Sequence, residues 1–198
     1  MGGSAAYEEI TDLPPIVRSA IEVASSQHFD HSCAPEQGRL LSVLARGFTG
    51  CRIGETGTGC GVGLAWMVDA TDASTSLISI ERDSTRASSS VALFGDHSNV
   101  RVLHGNWTEL REHGPFDLLV LDGGGKGKEP GDDPPLDPTE GWLAVGGTIV
   151  LDDFTPTGQP GASAHDGARR YWLDHPALKA TELRLSPTLA TVVGTRVR

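Results

Sequence analysis

Apolar positions follow a helical period at the start of this chain and a strand–helix alternation from about residue 50 onward. Leu13, Ile16, Val17, Ala20, Ile21 and Ala24 recur at helical spacing, and Pro14 and Pro15 suit a first turn. That spacing predicts a helix reaching about Gln27. Residues Met1 to Ala6 read as a loose tail. His28, Phe29, Asp30 and His31 fall in a connector, and the histidine spacing lacks a third metal partner. A second helix is predicted from Pro35 to Ala45, with Leu40, Leu41 and Leu44 inward and Gly47 as its stop.

Short strand-like runs then alternate with helical pieces. Strands are predicted at Cys51–Glu55, Ser76–Glu81, Val100–Leu103, Phe116–Leu121 and Gly146–Asp153. Helices are predicted from the glycine turn to about Ala70, from a Ser84 cap to Gly95, over Trp107–His113, and near Pro138–Ala144. FDLLVL and GGTIVL are continuously apolar, as strands covered on both faces are. Gly123 to Pro138 and Phe154 to Ala164 read as long loops. A helix from His165 to Asp174 precedes two strands, Thr181–Leu185 and Ala190–Val197. The alternation predicts an α/β fold: a mostly parallel sheet of seven strands, helices on both faces, and one antiparallel strand from the closing hairpin.

With 198 residues and neither repeat nor linker, the expectation is one domain over 1–198, with 1–47 as an N-terminal helical segment. A net charge of −10 disfavours nucleic acid as a partner, because clustered Lys and Arg supply most affinity for phosphates. Three cysteines without a CxxC pair indicate neither a disulfide framework nor a zinc site, and a reducing, cytoplasmic setting fits. No apolar run approaches the ~20 residues of a membrane span, and no signal peptide opens the chain, so no membrane partner is expected.

The densest chemistry lies in CRIGETGTGCGVG, Cys51 to Gly63. Strand, glycine turn and helix N-terminus together suit a nucleotide-like cofactor, because bare backbone lets a ligand approach and N–H groups point at it. GxxxxGK[ST] is absent, and the dinucleotide fingerprint fails because position 62 is valine. An acidic residue instead precedes the glycines, giving ExGxGxG from Glu55 to Gly61. A second acidic residue, Glu81, ends the next strand 26 residues later, where a carboxylate can accept both ribose hydroxyls. Later strands end in Asp122 and in Asp152–Asp153. Three carboxylates on one sheet edge would repel unless a cation joined them, and an all-oxygen set suits Mg²⁺, Mn²⁺ or Ca²⁺. The plainer alternative is that Asp152 or Asp153 caps the next loop and only Asp122 acts.

Taken in order, APEQGRLL, ETGTGCG, SIERD, HGNW, FDLLVLDG and GGTIVLDD resemble the class I S-adenosylmethionine (SAM)-dependent methyltransferases with a Rossmann-like fold. More narrowly they are similar to the small metal-dependent O-methyltransferases related to catechol and caffeoyl-CoA O-methyltransferase. The resemblance implies cofactor contacts from Cys33, Glu55, Gly57, Thr58, Gly59, Gly61, Glu81, Arg82, Asn106, Trp107 and Asp122. Glu55 either neutralises the methionyl ammonium or assists the loop. Arg82 flanks the adenine, Asn106 reaches its amino group where relatives carry aspartate, and Trp107 either faces the adenine or packs in the core. Cys33 lies near the methionine part or is a small buried residue.

By the same resemblance Asp122, Asp152 and Asp153 hold a divalent ion, Mg²⁺ by expectation. Relatives place a lysine three residues after the first aspartate; here that position is Gly125, and Lys126 follows one place later. A glycine-rich loop would let Lys126 swing in as general base, with Asp122 as the other catalytic residue. His165 and Asp166 line the acceptor pocket or cap a helix. The expected activity is methyl transfer to a hydroxyl of a small aromatic or vicinal-oxygen acceptor, in a chain that dimerises through its N-terminal helices. The alternatives are methylation of a hydroxylated tRNA base and SAM binding without catalysis.

Overall fold

A computed structural model describes residues 3–128 and 134–198, without the side chains of 165 and 166, so part of the Gly123–Pro138 loop and the expected roles of His165 and Asp166 lie outside the described residues. Helices α1 (Pro15–Ser26) and α2 (Pro35–Arg46) come first. Then follow β1 (Arg52–Thr56), α3 (Val62–Ala70), β2 (Ser76–Glu81), α4 (Ser84–Leu93) and β3 (Val100–His104). A 3₁₀ segment (Trp107–His113) leads to β4 (Phe116–Leu121) and β5 (Leu143–Phe154). The chain closes with α5 (Asp166–Leu173), β6 (Leu178–Arg184) and β7 (Ala190–Arg196).

The seven strands stand in the order β3-β2-β1-β4-β5-β7-β6. Strands β1 to β5 pair in parallel, and β7 runs antiparallel to both β5 and β6. Alternation along β4 shows why its sequence is apolar throughout. Leu118 and Val120 join the cluster with Val17, Leu41, Leu64 and Met67, whereas Leu119 and Leu121 join the opposite one with Leu110, Trp142 and Trp172. Both faces are covered, as expected of a central parallel strand.

Three local expectations are corrected. No helix forms near Pro138–Ala144: Gly141 sits at φ +82°, and Leu143 already pairs with Phe116 as the start of β5. The cap of α4 is Asp83, not Ser84, its carboxylate accepting from the Thr85 and Arg86 amides at 3.0 and 2.9 Å. Of the expected loose tail, Ser4–Ala6 instead belong to a 3₁₀ turn, Ser4–Tyr7, whose Tyr7 is buried; Met1 and Gly2 lie outside the described residues.

Tyr7 ties this turn to the rest of the protein. Its hydroxyl donates to the Cys33 carbonyl at 2.7 Å and accepts from the Trp66 indole N–H at 3.2 Å. Trp66 in turn lies against Gly38, where an added Cβ would come within 2.2 Å of the indole. Tyr7→Phe keeps the ring and orphans both partners, so it should cost about 1–3 kcal/mol. Urea unfolding should show a lower midpoint at unchanged slope.

Candidate active site

The parallel strands bring their C-terminal ends to one edge: Thr56 pairs with Ile80 and Leu121, and Leu121 with Leu151. Glu55, Glu81, Asp122 and Asp152 therefore stand along one line at the strand ends. Strand order reverses between β1 and β4, the switch point where open α/β sheets bind ligands.

The glycine turn spans that switch point. Gly57, Gly59 and Gly61 all take positive φ, +87°, +56° and +87°. Gly57 and Thr58 donate to the Ile80 carbonyl at 2.9 and 3.2 Å, and Gly123 donates to the Thr56 carbonyl at 2.6 Å. A Cβ on Gly57 would lie 2.4 Å from the Gly123 nitrogen, so the two loops close only with glycine there. Gly61 occupies the N-cap position of α3.

Glu81 grips this loop. One carboxylate oxygen accepts from the Gly59 amide at 2.8 Å, and the other from the Asp83 amide at 2.8 Å and Arg86 at 3.1 Å. Arg86 also stacks on Phe29, 5.0 Å from the ring centroid. Behind the loop, Thr58 and Ser79 share a hydrogen bond of 2.5 Å, and Ser79 donates to Glu55 at 2.5 Å. The second Glu55 oxygen is buried with no partner among the described residues. It converges with Asp122 on Gly63, where a Cβ would sit 3.0 Å from Glu55 and 3.7 Å from Asp122. Burial pushes the Glu55 carboxyl up to about 8. Asp122 is also held well above the usual carboxylate range, first by burial and then by the charge of Asp152.

Three cavities meet here. One of about 170 Å³ is lined by Cys33, Gly57, Thr58, Gly59, Glu81 and Asp122 among others. Another of about 530 Å³ runs past Glu81, Arg82, Asn106 and Trp107 to Lys126. A third of about 560 Å³ opens between α2 and the β5 end and is lined by His31, Gln37 and Leu189 among others. Asp153, at φ +63°, borders all three. His31 reaches two of them, whereas His28 borders none of the three.

Other expected residues take these places. Arg82 is exposed and borders the 530 Å³ cavity, and Arg86 pairs with Glu81. The Asn106 amide oxygen caps its own turn, accepting from the Thr108 amide and hydroxyl at 3.0 and 2.9 Å, while the residue borders the 530 Å³ cavity. Trp107 packs against Trp142 with centroids 5.7 Å apart and still borders the 530 Å³ cavity, so both of its readings stand.

The carboxylate trio carries a cation of the chain's own. Among the described residues no group of three His, Cys, Asp or Glu side chains could hold a metal ion. Lys126 lies between the acids instead. Its ammonium donates to Asp152 at 2.6 Å and to the Asp122 carbonyl at 2.6 Å. Burial would lower the lysine's pKa, but the charges of Asp152 and Asp122 outweigh it and raise it. A proton held that firmly is the opposite of the neutral amine that a general base needs.

Sequence reasoning missed Gln37, Ser32 and Arg86. Gln37 had a readable signal, being a polar residue on the inward face that carries Leu41 and Leu44. Its amide is buried with both atoms unpartnered among the described residues, as is the Ser32 hydroxyl.

The sequence model described as "Methyltransferase domain" matches residues 55–154, from Glu55 of the glycine turn to the end of β5. The chain belongs to the methyltransferase domain family. No curated protein matches it. Among solved structures it is similar to the O-methyltransferase TomG from Streptomyces achromogenes, in complex with SAM, at TM-score 0.74 and 18% identity, over 99% of this chain and 97% of that one. It is also similar to a putative O-methyltransferase from Klebsiella pneumoniae, at TM-score 0.73 and 20% identity, over 98% and 95%. A third is the O-methyltransferase from Bacillus cereus in complex with SAH, at TM-score 0.72 and 15% identity, over 97% and 96%. This methyltransferase therefore has the class I fold, and the edge carrying Glu55, Glu81 and Asp122 is that fold's ligand-binding edge.

Proposed function

We propose that residues 1–198 act as one methyltransferase domain that moves a methyl group from SAM to a hydroxyl oxygen of a small acceptor. The observation that carries this reading is the junction at Asp153, where the glycine-loop cleft meets a separate cavity of about 560 Å³. That volume suits a small organic molecule. The net charge of −10 favours such an acceptor over tRNA.

The residues fit the cofactor. Glu55 keeps one buried oxygen without a partner at the N-terminus of α3, a place for an ammonium group. Glu81 stands at the end of β2 with its carboxylate oriented by three donors, as a ribose partner should be. When bound, SAM supplies a methyl group already activated by the sulfonium charge. The chain's own work is alignment of donor and acceptor and exclusion of water, so few catalytic side chains are needed. With the Lys126 ammonium among them, the acids at Asp122, Asp152 and Asp153 do not fit a chelate.

Calorimetry with SAM, followed by mass spectrometry of a panel of hydroxylated aromatics with and without Mg²⁺, tests the reading. Absence of SAM binding would sink it. A finer expectation concerns protons. Glu55, raised to about 8 in the free protein, is mostly protonated at neutral pH, and an ammonium beside it favours the ionised form. SAM binding near pH 7 should therefore release a proton, giving heats that differ between phosphate and Tris. The release should fade above about pH 9 and vanish in Glu55→Gln. Heats independent of buffer at pH 7 would show that Glu55 does not face the ammonium.

A further inference from the structure

We propose that the Lys126 ammonium is the resident cation of this site, held where the acids would otherwise gather a divalent ion. The inference deepens the methyltransferase reading and can be tested without SAM.

Lys126 is fixed at both ends. Its side chain reaches one anionic oxygen, on Asp152, and one carbonyl oxygen, of Asp122, each at 2.6 Å. Its own carbonyl accepts from the buried Trp172 indole N–H at 2.9 Å. Gly125 and Gly127, at φ +92° and +66°, let the loop fold back so that the ammonium returns to the β4 end. The residue is 7% exposed, so this is a desolvated ion pair and not a surface lysine at rest.

The electrostatics follow from that placement. Two ammonium groups stand at these acids, Lys126 between Asp122 and Asp152 and Lys128 on the Asp153 carbonyl, and a divalent cation brought to the same oxygens would be repelled at close range. Lys126 would have to leave, and Asp152 would lose its partner. An ammonium carries three donor hydrogens. Two are used on Asp122 and Asp152. A divalent ion gathers several oxygens at once, whereas an ammonium is a single compact charge.

Manganese binding tests this through the electron paramagnetic resonance of free Mn²⁺. The wild-type protein should show no saturable binding. Lys126→Met should create one saturable site, with affinity raised at least about 10-fold by removal of the neighbouring charge. Lys126→Met combined with Asp152→Asn should lose it again. Lys126→Gln, which keeps a hydrogen-bond donor for Asp152, repeats the test should the methionine variant lose its circular dichroism signature. Saturable binding to the wild type that Lys126→Met does not tighten would overturn the proposal. So would failure of wild type and folded variants alike to bind, since the acids would then form no cation position. A chain that fails to bind SAM would sink the methyltransferase reading while leaving the manganese result intact.

Discussion

Glu81→Ala is expected to weaken SAM binding by at least about 100-fold. The carboxylate stands at the end of β2, where it can accept the ribose hydroxyls, and hydrogen bonds to a charged group contribute about 1.5–3 kcal/mol each. Losing two of them accounts for a change of that size, at about 1.4 kcal/mol per tenfold. The same carboxylate also accepts from the Gly59 amide, the Asp83 amide and Arg86. Its removal therefore loosens the glycine turn and the start of α4 as well as removing a ligand contact. Glu81→Gln separates the two contributions, because its amide oxygen still serves Gly59 or Asp83 while the charge is gone. Calorimetry should rank affinity as wild type, then Gln, then Ala. Equal affinities across the series would show that Glu81 is only a structural clamp.

Trp172→Ala should destabilise the fold by about 3–5 kcal/mol, as expected for deleting a large, fully buried aromatic side chain. Trp172 is 0% exposed and packs edge-on against Tyr171 with centroids 5.0 Å apart. It fills the core on the face opposite α1 and α2, where the described residues provide a single α-helix, α5. Its indole N–H also holds the Lys126 carbonyl, so the loss reaches the site. Trp172→Phe keeps most of the ring and should cost less while still releasing that carbonyl. Thermal and denaturant unfolding give the stability order. A Trp172→Ala protein that unfolds like wild type would contradict the core described here.

How far the sequence could be read depends on how local each interaction is. ExGxGxG between a strand and a helix is a statement about consecutive residues, and the positive φ angles at Gly57, Gly59 and Gly61 match it. FDLLVL carried its own burial pattern, because a strand covered on both faces has no polar side to show. The predicted helix near Pro138 failed on a contest between local and distant preferences. Apolar residues there suit either state, and pairing of Leu143 with Phe116 selected strand.

The site divides in the same way. Glu55, Glu81 and Asp122 were legible because each ends a strand whose limits the apolar rhythm marks. The partners of those acids were not legible. Arg82 and Arg86 differ only in their place relative to α4, and the helix turns Arg86, not Arg82, onto Glu81. The Asn106 amide oxygen likewise found its partner in its own turn.

By itself the sequence determined the order of strands and helices, the glycine loop and the row of acids, since these follow from hydrophobic period and from residues adjacent in the chain. Only the tertiary structure decided what stands among the acids. Lys126 and Asp152 are 26 residues apart and meet because β4 and β5 lie side by side and a glycine loop folds back between them. Three carboxylates in a row call for positive charge, but composition cannot say whether a metal or an ammonium supplies it. The physical reason is that electrostatic partners are chosen by distance in space, and the Lys126 ammonium stands 2.6 Å from Asp152.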